Sequence, residues 1–331
     1  MPAIGSFFGV CVLDFGGGFE IFEEGVEFFV AVLFEEASFD VFFHLFKQTS
    51  DGGIASGDGA DVEAELGGED RADLTLAHRV AWTMLTVLPL LAWRGELRHW
   101  FAALGKRSNL VAHAASGLLL TINWGTFIWA ANHDRIVECS LGYFINPLLN
   151  VFIGSLLLGE TLRPLQKVSI ACAALGVAMQ VFALGTFPWI GLILALSMGF
   201  YGLARRRSEL GSLGGLATET LVFLPLAAAY LVWSGVEGRE LWGRRDFHDL
   251  TCIGLLGIVT AIPLLGFAHA ARKLPFSLLG VLQFLAPTGQ FLTGVLVYDE
   301  PFTMRSLASF ACIWVGVVLF CIDLAGRRTE G

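Results

Sequence analysis

Closely spaced cysteine pairs are missing from this sequence. Cys11, Cys139, Cys172, Cys252, Cys312 and Cys321 are scattered and lie mostly inside apolar runs, which excludes a disulfide framework and a zinc site. Charge is also scarce, at 15% of 331 residues. The basic residues are dispersed between apolar runs, so there is no footprint for nucleic acid. The chain has no GxSxG, no HExxH, and no paired aspartates or Ser-His set within an apolar stretch. A membrane-embedded enzyme, the main reading from a different functional class, therefore has no recognisable machinery, and no cofactor is implied.

Apolar residues, in contrast, are abundant. Hydrophobic side chains make up 55% of the chain and the mean hydropathy is +0.67, more than a soluble domain of this length needs to fill its core. An all-α polytopic membrane protein is expected. The net charge of -9 hides two kinds of sequence: residues 1–75 hold 16 acidic and 2 basic side chains, leaving 14 acidic and 19 basic in the remainder.

A bilayer core of about 30 Å takes roughly 20 apolar residues as a helix. Nine segments fit, near 74–93, 110–131, 137–158, 167–184, 187–204, 214–234, 249–271, 274–297 and 303–323. The charge-free stretch from Val168 to Arg205 is too long for one helix and is interrupted at Gly185, Thr186, Phe187 and Pro188, so it predicts a tight helical hairpin. Every second loop is basic (Arg94, Arg98, Lys106 and Arg107; Arg163 and Lys167; Arg205 to Arg207; Arg272 and Lys273; Arg327 and Arg328). These loops are expected on the cytoplasmic side, and the C-terminus with them. The loop with Arg239, Arg244 and Arg245 runs mildly against this rule.

Residues 1–73 differ from the rest. Residues 7–34 are the best candidate there for a further crossing, but Asp14, Glu20, Glu23, Glu24 and Glu27 make them a poor one. Residues 49–70 are acidic and Gly-rich without apolar periodicity, which predicts disorder, and their spacing misses the calcium-loop pattern. The expected division is an atypical acidic segment over 1–73, a membrane domain over 74–325 and a short tail over 326–331.

A shift of 140 residues aligns two stretches without gaps. Ala130 and Ala131 fall on Ala270 and Ala271, Phe144 on Phe284, Pro147 on Pro287, Asn150 on Gln290, Gly154 on Gly294 and Glu160 on Glu300. The copy lies five crossings on, an odd number, and so runs through the membrane in the opposite direction. Such inverted repeats are typical of secondary transporters, whose substrate sites lie near the midplane at the repeat interface.

These stretches carry a resemblance. INWGTFIWAANHDRIVECSLGYFINPLLNVFIGSLLLGE (from Ile122) and PLLGFAHAARKLPFSLLGVLQFLAPTGQFLTGVLVYDEPF (from Pro263), with AHRVAW at 77–82, closely resemble the RarD proteins of the EamA group in the drug/metabolite transporter superfamily. The resemblance spans about residues 74–325. It implies ten helices in two inverted five-helix halves in a bacterial inner membrane, and a role described through chloramphenicol sensitivity. RarD-like proteins begin with a hydrophobic helix carrying a Trp-Gly pair, which residues 1–73 lack. A mistaken start or reading frame, or loss of that first helix with loss of transport, is therefore expected.

Candidate site residues follow from spacing. Tyr143, Asn146 and Asn150 share one helix face, and Gln283, Pro287 and Gln290 repeat that face in the other half. They fit lining of a substrate pathway and interhelical hydrogen bonding equally well. Pro147 and Pro287 each free a carbonyl, which points to a helix break or hinge. Gly154 and Gly294 fit close helix packing. Asn123 and Trp124 add polar and aromatic surface from another span, as does Trp129. Glu160 and Glu300 are expected as helix ends or caps, with a gate contact as the sharper alternative. Glu138 and Glu219, near span ends, are the candidates for coupling. His78 and Arg79 are expected to snorkel or anchor at the interface, and His113 and His269 to be structural. The partners expected are a small-molecule solute and the bilayer; a homodimer is compatible with both.

Overall fold

The computed structural model describes residues 68–133, 135–237, 247–288 and 304–326. Among them are ten α-helices and no strand: α1 (Gly68–Trp93), α2 (Leu97–Leu104), α3 (Arg107–Asn132), α4 (Ile136–Leu157), α5 (Pro164–Leu184), α6 (Trp189–Arg207), α7 (Ser212–Val236), α8 (Phe247–Lys273), α9 (Phe276–Gln283) and α10 (Met304–Gly326). Six are long and apolar enough to cross a membrane, within α1, α3, α4, α5, α7 and α10. The other three segments read as spans are helical as α6, α8 and α9 where described, so by this measure the nine expected spans stand at six. Leu156, Phe182, Leu226 and Val232 point outward, exposed, as a lipid-facing surface requires. The α5–α6 hairpin forms where expected: Gly185 takes φ 72° to close α5, and Pro188 precedes α6.

Two boundaries differ from expectation. The first membrane helix reaches back to Gly68, before the segment read from residue 74. The basic loop after it contains α2, whose Trp100 is buried and donates its indole N–H to Thr218 Oγ1 at 2.9 Å. A Trp-anchored short helix hides in sequence because its Arg98 and His99 mark it as a loop.

The 140-residue offset governs the bundle. Arg107 and Phe247 open α3 and α8, Ile136 and Phe276 open α4 and α9, and Pro164 and Met304 open α5 and α10. The α5–α10 contact then supplies the geometry of an inverted repeat. A Cβ built on Gly176 would lie 2.5 Å from the Ser309 carbonyl oxygen, and one on Gly316 would lie 2.6 Å from that of Ser169. Ser169 Oγ–H donates to the Gly316 carbonyl at 2.5 Å, and the Gln180 amide donates to Ser309 Oγ at 2.8 Å. Ser169 and Ser309 share the offset, as do Gly176 and Gly316, so each contact is the image of the other across a two-fold axis.

Because backbone lies against backbone at both points, neither glycine has room for a side chain. Gly176→Val and Gly316→Val are each expected to cost about 1–3 kcal/mol through overpacking, read as similar losses in thermal unfolding of the detergent-solubilised protein. A loss confined to one of the two would contradict the two-fold relation.

Candidate functional site

The helix pair α4 and α9 brings the halves together, and it is antiparallel. Pro147 and Asn150 on α4 lie against Gly280 of α9, whereas Gly154, one turn further on, lies against Phe276 and Ser277. Gly280 permits this approach: a Cβ there would run into the Pro147 carbonyl oxygen and sit 3.2 Å from Asn150 Cβ. The Gly154 assignment to helix packing fits the same picture, since a Cβ on it would lie 3.0 Å from both Phe276 Cβ and the Ser277 nitrogen.

Across this contact the Asn150 amide donates to Gln283 Oε1. Asn150 is fully buried and Asn146 nearly so. Their Oδ1 atoms have no hydrogen-bond partner among the described residues. The expected interhelical hydrogen bond is thus present between these two helices, and two buried acceptors lie beside it. The two prolines act differently. α4 continues through Pro147, whereas the α9 helix stops at Gln283, turns at Phe284 and resumes to Thr288. Pro287 has no N–H for the Gln283 carbonyl, four residues back. Thr288 Oγ1–H instead donates to the Phe284 carbonyl at 2.7 Å, and Trp314 donates to Thr288 Oγ1 at 3.1 Å. Gln290, Gly294 and Glu300 lie outside the described residues.

Glu160 holds the same helix pair at its end. Gly159, at φ 69°, turns the chain after α4, and the Glu160 N–H returns to the Gly154 carbonyl at 2.9 Å. The carboxylate then accepts from the Phe276 N–H (2.7 Å), the Ser277 N–H (2.9 Å) and Ser277 Oγ (2.7 Å). It caps a helix of the opposite half, where backbone donors and helix dipole favour an anion. The expected cap was for the next helix in sequence.

The remaining candidates separate. Asn123 points to α6, donating to the Leu194 carbonyl and Ser197 Oγ, both at 3.0 Å, and so joins helices. Tyr143 packs with Phe127 and Leu194. Glu138 is buried at the start of α4 and pairs with Arg135 at 3.0 Å. Trp124 is buried beneath the Arg79 guanidinium, 4.5 Å from its ring centroid.

Glu219, seven residues inside α7, is the centre of a buried cluster that sequence reading missed. Its oxygens meet Ser116 Oγ (2.6 Å) and His113 Nδ1 (3.4 Å) from α3, and Tyr201 OH (3.2 Å) and Arg205 Nη1 (3.4 Å) from α6. Arg205 is 0% exposed and Glu219 1%. Arg205 also donates to the carbonyls of Gly211 (3.0 Å) and Ser212 (2.9 Å), and His113 Nε2 meets Ser208 Oγ at 3.0 Å. The ion pair thereby fixes the turn between α6 and α7. The available signal was spacing: Arg205 lies four residues after Tyr201, on the same helix face.

No family model matches the chain. An uncharacterized transporter of Pseudomonas aeruginosa is 40% identical over 248 residues, covering 75% of this chain and 83% of that protein. Protein RarD of Streptomyces exfoliatus is 39% identical over 251 residues, covering 75% of this chain and 79% of that protein. The chain belongs to the RarD family. A solved crystal structure superposes with a TM-score of 0.61 at 19% identity over 93% of this chain and 99% of the other, which bears on the fold alone. For a RarD-family chain the inter-half amides on α4 and α9 and the Glu219 cluster become parts of a transporter's membrane domain. Its relatives carry transporter names.

Proposed function

We propose that this RarD-family protein is a secondary transporter, not an enzyme. It moves a small organic metabolite or drug-like solute across the bacterial inner membrane by alternating access, with the domain over 74–325 rocking as two halves and the C-terminus cytoplasmic. The supporting observation is the α4–α9 contact, where Asn150 meets Gln283 between helices carrying Pro147 and Pro287, beside the buried Oδ1 atoms of Asn146 and Asn150. In transporters built from inverted repeats the solute binds where irregular helices of the halves face one another. A solute N–H or O–H donating to those amide oxygens would satisfy them, at the depth where unmet polar groups are most costly. Glu160 acts as the gate contact, holding one end of the α4–α9 pair shut. The Glu219 cluster joins α3 to α6 and α7; Glu138 and Glu219 remain the coupling candidates.

Flux into proteoliposomes containing the purified protein tests this, screened over amino acids, organic acids and chloramphenicol. Asn150→Ala and Gln283→Ala are each expected to reduce flux at least tenfold, with thermal stability changed by only about 0.6–2 kcal/mol, the range for interhelical amide bonds in membranes. Unchanged flux in both variants would reduce the amides to glue, and absence of flux for every solute would remove the transporter reading.

A further inference from the structure

Two hydrogen-bond arrangements satisfy His113, and they differ by a proton. The residue stands six positions, about 9 Å, inside α3. Its Nδ1 faces Glu219 Oε1 at 3.4 Å and its Nε2 faces Ser208 Oγ at 3.0 Å. Ser208, in the turn between α6 and α7, is half-buried, whereas His113 and Glu219 are buried. The row from Ser208 through His113 to Glu219 therefore leads from the aqueous end of the bundle to its buried ion pair.

Ser208 makes both arrangements possible. Its hydroxyl accepts the Leu210 N–H at 3.2 Å and lies 3.3 Å from the Leu210 carbonyl. When neutral His113 carries its proton on Nδ1, toward Glu219, Ser208 Oγ–H donates to Nε2. When Nε2 gains a second proton, the imidazolium donates to Ser208 Oγ and the hydroxyl proton turns to the Leu210 carbonyl. No polar group of the row is left unmet in either state, which is what a buried site that changes charge requires. The added proton sits on the ring edge facing Ser208, while the other edge keeps the Glu219 carboxylate as its counter-charge.

We infer that His113 is a proton-binding site, loaded from the aqueous side through Ser208, and that its charge couples a proton to solute movement. The coupling rests on the transporter reading above. The step is a bare proton transfer: the Nε2 lone pair takes the proton, imidazole becomes imidazolium, and nothing leaves. Histidine is the side chain suited to changing charge under physiological conditions, and an ionisable group inside a membrane span marks a proton relay or ion path by default. Around it stand Glu219 from α7 and Tyr201 and Arg205 from α6. Further along the turn are the exposed pair Lys106–Glu209 and Arg272 of α8. Arg272 donates to the same Leu210 carbonyl that the Ser208 hydroxyl takes up in the protonated state. Loading His113 thus changes the donors on a carbonyl that ties α8 to the α6–α7 turn, which gives the proton a way to act on the helices.

Two measurements on the full chain test this. Nitrogen-15 spectra of the histidine-labelled protein in detergent, recorded as the pH falls from about 8 to about 5, should show one imidazole whose Nδ1 stays protonated while Nε2 gains a proton. That signal is assigned by its loss in His113→Gln or its displacement in Ser208→Ala. In proteoliposomes, uptake of labelled L-alanine, succinate or chloramphenicol is expected to depend on the sign of an imposed pH gradient, and an enclosed pH dye should report protons moving with the solute. His113→Gln should lose this dependence, and Ser208→Ala should slow gradient-driven uptake several-fold. Should His113→Gln fail to fold, Ser208→Ala carries both comparisons. An Nε2 that never gains the proton, wild-type flux indifferent to the gradient, or an unaltered dependence in the variants would overturn the inference. The two readings fail separately. Protonation of His113 without flux of any solute removes the transporter and leaves the proton site; solute flux with a His113 imidazole that keeps one state removes the site and leaves the transporter.

Discussion

Glu219→Gln is expected to destabilise the protein by about 3–5 kcal/mol, the usual result of removing one partner from a buried ion pair. The substitution barely changes shape, so the loss isolates charge. Arg205, fully buried, would keep its cation with only the carbonyls of Gly211 and Ser212 and a neutral amide around it. Ser116 and Tyr201 would each lose a charged acceptor as well. Glu219→Gln combined with Arg205→Met should recover much of the loss, because with both charges gone no ion remains uncompensated. Chemical or thermal unfolding of the wild type, both single variants and the double variant gives the coupling energy directly. Additive losses would mean that the two side chains act independently, and the cluster would no longer account for the rigidity of the α6–α7 turn.

The chain's architecture was legible to the extent that it repeats. Pro147 on Pro287 and Glu160 on Glu300 gave the offset at which α8, α9 and α10 begin, because helix starts follow local sequence in both copies. Ser169 with Ser309 and Gly176 with Gly316 stand in the same register but carry no breaker or charge to draw notice. Their meaning appears only when α5 and α10 pack. The amides were legible as a helix face, and Asn150 does meet Gln283. Charged residues were the hard cases. Arg205, Arg206 and Arg207 look alike in sequence, and all three read as loop charges that set orientation. Arg205 is 0% exposed because its carboxylate partner, Glu219, lies on another helix. Arg79 was read as an anchor for the same reason: the Thr260 that orients it is 181 residues away. A position within two turns of a span end shows the cost of burying charge, whereas the partner that offsets it is a tertiary fact.

Glu160→Ala should alter transport more than any other single change at the ends of the helices. Its two carboxylate oxygens take three donors from the first turn of α9. Losing them leaves the Phe276 and Ser277 N–H groups to water and removes a negative charge from a helix N-terminus. By analogy with helix caps and charge-assisted bonds this weakens the closed arrangement by about 2–4 kcal/mol. At roughly 1.4 kcal/mol per decade that shifts the balance between closed and open by about 30- to 700-fold. Transport by alternating access needs both arrangements populated, so the expected result is a fall in flux of at least tenfold without loss of folded protein. Spin labels at exposed Leu157 and Lys273 would report the cause. The wild type should give one short distance between the end of α4 and the end of α8, which leads into α9, and Glu160→Ala a second, longer one. Glu160→Gln, which keeps one acceptor, should fall between. A single unchanged distance with normal flux would make Glu160 a helix cap and nothing more, and the gate would have to lie elsewhere along the α4–α9 contact.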